Sequence, residues 1–331
     1  MKIRAATVFL NEFTKDSLEN YINFLEKINN EIIWSKRITL RPMNSKQVEK
    51  IISDIPTSNR VLIGAVHLKD NDNINLIKDY LKTGDNFFAS VLFKDLSSAE
   101  KIIKLINSLE PNEASRFAVL FNDDFLTTPY FPVGSANVSM NSLGVSLLYI
   151  REFISGKGTF ALSEAEKIGK ELSSLLGVRY LGVDPSLSPW MEESVGEIIE
   201  SKSSKIFSPG NIWAVSKINE EIAKISLDSR IRVIGFSEVM LPVGEDNLLI
   251  KRVEEGSLKL YHLISLIYTC VAGLDMVAIN TSPELLLNLI KDLYSIQRVK
   301  ERPVGMRVIP SFGNEYVYVK GFGRLPEIKI V

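Results

Sequence analysis

Along this chain, short apolar runs of strand length alternate with apolar positions set three and four residues apart. Residues 3–9 form the first run; Leu18, Tyr21, Ile22, Leu25, Ile28 and Ile32 then mark one face of a helix that Thr14 is placed to cap. Asn44 followed by Gln47 predicts a short capped helix before a strand at 60–66. A helix over 74–81 and a strand over 87–93 come next. Ser97 and Glu100 have the spacing of a capping box for a helix through Leu109, and residues 117–121 form another strand.

Residues 122–141 break this rhythm. Pro129, Pro132 and Gly134 make the stretch a loop, and it exceeds the few residues that usually join elements, so an active-site or interface role is expected. A helix over 142–153 is predicted next, then a turn at Gly156-Lys157-Gly158. Ser163 and Glu166 supply a capping box for a helix reaching Leu176, and a strand over 178–183 ends at Asp184 and Pro185. Helical passages at 194–199 and 212–225 precede an apolar segment ending at Leu241-Pro242. A buried helix from Leu258 leads into a strand at 275–279. Ser282 with Pro283 opens a helix, because proline in the first turn gives up no internal hydrogen bond; Leu286, Leu289, Ile290 and Leu293 are its apolar face. Strands at 304–309 and 315–319 finish the chain.

Strands buried on both sides and separated by helices of ten or more residues require mostly parallel pairing, since each crossover helix covers a sheet face. Eight or more such units predict an α/β barrel. No polar linker or shift of composition divides the chain, so residues 1–331 are expected to form a single barrel domain.

Composition narrows the partners. Hydrophobic residues make up 45% and charged residues 24%, which are values of a globular protein. Basic and acidic residues number 39 and 40, leaving no broad positive field for nucleic acid. The single cysteine, Cys270, allows no intrachain disulfide, in keeping with a reducing, cytoplasmic setting. The opening apolar stretch is too short for a signal-peptide core. The longest apolar passage, 260–274, contains His262, Ser265 and Thr269 and falls short of a membrane span of about 20 residues. A small-molecule ligand and a homo-oligomer are expected instead.

The standard cradles for nucleotides are missing: no G-x-G-x-x-G follows the first strand, and no G-x-x-x-x-G-K-[ST] occurs. With two histidines and one cysteine, no haem, iron–sulfur cluster or histidine/cysteine zinc site is expected. What chemistry there is gathers at predicted strand ends. Asp184 ends one strand, Glu245 and Asp246 follow another, Asp123 follows Phe121, and Arg41 and His67 close two more. At the carboxyl edge of a parallel sheet such groups converge although they are distant in sequence. Two converging carboxylates divide acid and base roles. Asp184, Glu245 and Asp246 are alternatively the oxygen ligands of a Mg²⁺ or Mn²⁺ ion. Arg307 is suited to clamp a carboxylate or phosphate.

Several loops are familiar together. Leu181-Gly182-Val183-Asp184-Pro185-Ser186-Leu187-Ser188-Pro189 with Ser194-Val195-Gly196, Thr128-Pro129-Tyr130-Phe131-Pro132, Gly235-Phe236 through Leu241-Pro242-Val243, Gly273-Leu274-Asp275-Met276-Val277-Ala278 and Met306-Arg307-Val308-Ile309-Pro310 resemble the domain of unknown function 711 family. The resemblance implies a large barrel of about ten strands with outer helices, like that of pyruvate formate-lyase and the glycyl-radical enzymes. It carries no settled activity. The glycyl-radical machinery is not expected: Cys270 sits in an apolar helix, and Arg232-Val233-Ile234-Gly235-Phe236 only superficially resembles the radical signature, far from the chain's end. The family's patterned polar positions fall on Asp184, Glu245, Asp246, Asp275 and Arg307.

The expectation is an enzyme acting on a small anionic or hydroxylated metabolite by acid–base or divalent-metal chemistry. Asp184, Glu245, Asp246 and Arg307 are its expected catalytic groups, with His67, Arg41, Asp123 and Asp275 as further pocket candidates. A non-catalytic metabolite-binding protein and an assembly component are the alternatives.

Overall fold

Five strands from the first third of the chain lie side by side and run the same way: β1 (Lys2–Leu10), β2 (Lys36–Leu40), β3 (Val61–Lys69), β4 (Phe87–Phe93) and β5 (Phe117–Phe121). The computed structural model, which describes residues 1–331, adds four more: β6 (Ser142–Leu148), β7 (Arg179–Asp184), β8 (Leu274–Ile279) and β9 (Val304–Pro310). The order across the sheet is β7-β6-β1-β2-β3-β4-β5-β9-β8. β1 pairs with β6, and β5 with β9, in antiparallel fashion, while β6–β7 and β8–β9 are parallel pairs. The later strands therefore all run opposite to the first five. A small hairpin, β10 (Tyr316–Val319) with β11 (Gly323–Pro326), stands apart.

Period-two alternation gives the sheet two unlike faces. Ile38 and Leu40, Val91 and Phe93, Val119 and Phe121, and Leu143, Val145 and Leu147 point to one of them and join a core of 84 buried residues with the helices. Burial of that apolar surface is the main stabilising term, at about 25 cal/mol per Å². The intervening positions carry Thr7, Thr39, His67, Ser90, Ser146 and Asp184, all fully buried, on the opposite face. The helices start where local chemistry tells them to. Thr14 accepts from the Ser17 N–H, Asn44 and Gln47 form a reciprocal capping box, and Ser282 caps the helix Pro283–Lys300. No helix is long and apolar enough to cross a membrane.

Three local expectations fail. Residues 142–153 are not one helix: Ser142, Gly144 and Ser146 alternate with Leu143, Val145 and Leu147, a strand pattern, and only Ile150–Ile154 turns helical. Glu100 caps nothing, because Asp95 accepts from the Ser97 N–H and a 3₁₀ turn leads into the helix Ala99–Ser108. Ser163 lies inside the helix Gly158–Leu176, its hydroxyl donating back to the Thr159 carbonyl. The Gly156-Lys157-Gly158 turn is the entry to that helix.

Beyond β7 the chain pairs with a segment that is not a regular strand. Residues 232–240 bridge Val183 and Leu187 on one side and, through Val239 and Met240, Val271 on the other, ahead of β8. Two glycines permit the close approach. A Cβ on Gly182 would stand 2.1 Å from the Arg232 carbonyl oxygen. Gly235 takes φ +74°, and a Cβ there would lie 1.9 Å from the Asp184 carboxylate. The glycine of the Arg232–Phe236 string is thus required by packing. Gly235→Ala is expected to cost more than about 2 kcal/mol, a left-handed backbone penalty plus displacement of a buried carboxylate. Gly256→Ala, at φ +70° in open space, is the control and should cost about 1 kcal/mol; urea unfolding of both variants checks the difference.

Candidate functional site

The polar face of the sheet is covered by the chain's own loop. Phe125, Tyr130 and Val133 of the 122–141 connection pack on Leu92, Ala118 and Leu120 and meet Phe236, Met240 and Val271, a second buried cluster. Backbone so deeply placed must find partners. The Thr7 hydroxyl donates to the Pro129 carbonyl (3.1 Å), the Thr39 hydroxyl to the Gly134 carbonyl (2.7 Å), and the Gly134 and Ser135 N–H groups donate within the loop. The Thr128 hydroxyl donates to Asp184 (2.9 Å). His67 locks the neighbouring layer: its Nδ1 meets the Ser90 hydroxyl (2.8 Å), and its Nε2 lies 3.0 Å from the Gly64 carbonyl and 2.9 Å from the Thr39 hydroxyl. Those partners place the ring proton on Nε2.

Where the loop stops short, a cavity of about 300 Å³ remains at the end of the sheet where β1–β5 begin, walled also by the first half of β8 and β9 and by the loop that follows β7. Its walls are largely aromatic. Trp34 and Trp190 meet edge to face at 4.4 Å, Trp190 reaches Phe322 at 5.6 Å, and Phe88 reaches Phe131 at 5.3 Å. Five charged side chains share this space: Arg4 from β1, Arg37 from β2, Asp275 from β8, Arg307 from β9 and Glu245 from the 3₁₀ turn Val243–Glu245.

Their pairing is specific. Arg4 and Arg307 each hold one oxygen of Glu245, Arg307 at 2.8 Å, and the Arg307 Nε also donates to Asp275. Arg4 spends another donor on the Pro189 carbonyl (2.6 Å) and lies over the rings of Trp34 and Trp190. Arg37 has no carboxylate partner. It donates to the Ser35 hydroxyl (2.9 Å) and the Pro129 carbonyl (3.2 Å) and stacks on Phe131 at 5.2 Å. Burial, with Arg4 nearby, pushes its pKa down to about 9, so it remains a cation at pH 7. Burial would raise Glu245, but Arg307 and Arg4 hold it below the ordinary carboxylate range. Asp275 goes the other way: burial lifts it against the hold of Arg307, and Glu245 adds to the rise.

The family comparison covers much of this site. Residues 150–316, just over half of the chain, match the family model described as Uncharacterised ACR (DUF711). The chain belongs to this family. Similar curated relatives are UPF0210 proteins of Pyrobaculum arsenaticum (26% identity, 65% of this chain and 54% of that protein), Lachnospira eligens (30%, 70% and 53%) and Sulfurisphaera tokodaii (22%, 100% and 90%). For the first two, the chain spans about half the length of the curated relatives it matches. The DUF711 match includes Trp190, Glu245, Asp275 and Arg307; Arg4, Trp34 and Arg37 lie before it.

In this DUF711 chain the structure gathers Glu245, Asp275 and Arg307 and leaves the other sequence-derived candidates elsewhere. Asp184 is fully buried off the cavity and accepts five hydrogen bonds, from the Thr128 and Ser186 hydroxyls and the Ser186, Phe236 and Ser237 N–H groups. Burial raises its pKa against those donors. Asp246 caps two helices at once, receiving the Ser194 hydroxyl and the N–H groups of Val195, Gly196, Leu248 and Leu249. Asp184, Glu245 and Asp246 therefore do not form one ligand set, and no three His, Cys, Asp or Glu side chains gather as a metal cluster.

Arg41 and Asp123 are exposed at the carboxyl ends of β2 and β5, the end of the sheet opposite the cavity; Arg41 lines a polar cleft there with Asn44, Lys69 and Asp72. His262 stacks on Phe207 and accepts from the Lys259 N–H, outside the cavity. Cys270 lies past the helix Leu260–Leu266 and not within it as expected, in the helix-side core, its thiol pushed up to about 12 by burial. Sequence reading missed Arg4, Trp34 and Arg37, which stand at or before strand starts.

His67 yields a pH prediction. Burial pushes its pKa from 6.5 down to about 4, opposed by the Gly64 carbonyl. A depressed histidine contributes stability that is complete above pH 6.5 and is lost as the pH falls through about 4. Unfolding free energy should drop by up to about 3 kcal/mol across that window. His67→Gln should flatten this part of the profile in urea titrations at stepped pH.

Proposed function

We propose that the chain binds a small organic anion in the aromatic cavity and acts on it by acid–base chemistry. The observation that carries the reading is Arg37: a half-buried guanidinium on the cavity wall, stacked and oriented, with no carboxylate opposite it. Three arginines against Glu245 and Asp275 leave the cavity with one excess positive charge when both acids are ionised. Glu245, fixed between Arg4 and Arg307, is the permanent anion that keeps those cations in place. Asp275 is the acid whose environment favours taking a proton. Two carboxylates driven apart in this way support a division into a fixed charge and a proton carrier.

We infer as well that the sheet closes into a barrel of the pyruvate formate-lyase type. The bridges of residues 232–240 to β7 and to Val271 support a tenth staves-like segment between the two sheet edges. The ring then consists of five strands in one direction and five segments in the other. The loop on the polar face fills its interior, and the cavity is what remains at one mouth.

The test uses the full chain with a panel of small carboxylates, phosphorylated acids and hydroxy acids, read by calorimetry and by deuterium exchange into bound ligand. Arg37→Gln should weaken binding at least tenfold, a charge-assisted hydrogen bond being worth about 1.5–3 kcal/mol. Asp275→Asn should keep binding and lose exchange. Unchanged affinity in Arg37→Gln would overturn the site. Saturable binding with no exchange or turnover in the wild type would leave a metabolite-binding protein and overturn the acid–base half.

A further inference from the structure

We propose that the ligand of this cavity is a monoanionic carboxylate carrying an aromatic or similarly flat apolar body. The inference rests on the reading that the cavity takes a small organic anion, and it names the class.

The charge count comes first. With Asp275 ionised, the form in which it can accept a proton from a bound ligand, Glu245 and Asp275 neutralise two of the three guanidiniums, and Arg307 serves both acids. One net positive charge remains, and its seat is Arg37. A monoanion matches it. A phosphate dianion or a dicarboxylate would bring a second negative charge into a confined space that already holds two carboxylates, where like charges repel.

The geometry of Arg37 sets the shape of the anion. Two of its five N–H groups are used, one by the Ser35 hydroxyl and one by the Pro129 carbonyl. Ser35 is itself fixed by donating to the Arg4 carbonyl (2.6 Å). Stacked on Phe131 and held from one side, the guanidinium offers its remaining fork edge to a planar acceptor. A carboxylate meets such an edge with two parallel hydrogen bonds.

The walls set the body. Thirteen of the 23 lining residues are hydrophobic, and the aromatic rings of Trp34, Phe88, Phe131, Trp190, Phe236 and Phe322 are among them. Apart from the charged groups, only Ser35, Ser188, the Tyr130 hydroxyl and the indole N–H groups of Trp34 and Trp190 add side-chain polar atoms to the lining. A polyhydroxylated body would surrender its hydrogen bonds to water and find few replacements. A ring would gain edge-to-face and stacked contacts instead. At about 300 Å³ the cavity stands at the small end of ligand sites, a fit for a single-ring acid.

The experiment compares three probes on the full chain at constant ionic strength by isothermal calorimetry: 3-phenylpropionate, propionate and inorganic phosphate. 3-Phenylpropionate should bind saturably and at least tenfold more tightly than either of the others. Phe322→Ala, which removes a wall ring packed on Trp190 and not on Arg37, should narrow that margin, and Arg37→Gln should weaken both carboxylates. If a variant does not fold, Trp34→Leu at the half-exposed rim replaces it, and the comparison of probes on the wild type stands without any variant. Phosphate or propionate binding as tightly as 3-phenylpropionate overturns the aromatic monoanion and leaves the anion site intact. Binding of none of the three probes overturns this proposal, and a blank across the wider panel of acids as well overturns the anion site beneath it.

Discussion

The site hangs on one buried chain of charges, Arg4–Glu245–Arg307–Asp275. Each link comes from a different part of the sequence, and the links join strands that run in opposite directions. Removing such groups from water is costly, and their mutual attraction repays the cost only when nearly every hydrogen bond is made. The chain is therefore poor evidence of extra stability. Its effect is positional: any register in which β1 and β9 failed to present Arg4 and Arg307 to the Val243–Glu245 turn would leave an unpaired buried charge. The same arrangement occupies both acids and leaves Arg37 over.

The unlike faces of the sheet explain where that site sits. The helix side is sealed by an apolar core, so no polar ligand has business there. The other face keeps threonine, serine, histidine and aspartate side chains, and these are consumed by the loop between β5 and β6. Only at one end does the polar lining outrun the loop. The aromatic residues that close this end come from before β2, from the loop itself, from after β7 and from the β10–β11 hairpin, so the cavity is completed by pieces that share no local motif.

Element type was largely readable from the chain because alternation and capping act locally. Thr14, Asn44 with Gln47, and Ser282 behave as their spacing suggests. Ser142–Leu148 reads as helix by apolar density alone, which satisfies either period; the small residues at every second position are what mark it as a strand. The site was half legible. Asp275 and Arg307 are marked by the DUF711 pattern, and Glu245 by following an apolar segment read as a strand end. Arg41, His67 and Asp123 were singled out by the same rule, yet they belong to strands pointing the other way. Strand direction is a property of pairing between distant segments, and nothing local in β1 or β6 announces that the two are antiparallel. Arg4 and Arg37 carry no such signal: they stand at strand beginnings, where a strand-end rule does not look, and the family's patterned polar positions do not include them. Asp184 and Asp246 look like chemistry in the sequence because a buried carboxylate that collects several N–H groups is as constrained as a catalytic one.

The connection between β5 and β6 has the length and composition of a surface loop and the surroundings of a core. Its carbonyls are spoken for by strand side chains and its aromatic residues by the sheet. Sites for an inserted tag, a reporter domain or a new chain terminus are usually sought in such long, proline- and glycine-bearing stretches. Here an insertion within residues 128–136, all buried, would pull the filling out of the sheet's interior, and a protease meeting the folded protein would find exposed chain only near the loop's two ends. The tolerant positions lie instead at turns with open space around them, such as Gly156 and Gly256, neither of which lines the cavity.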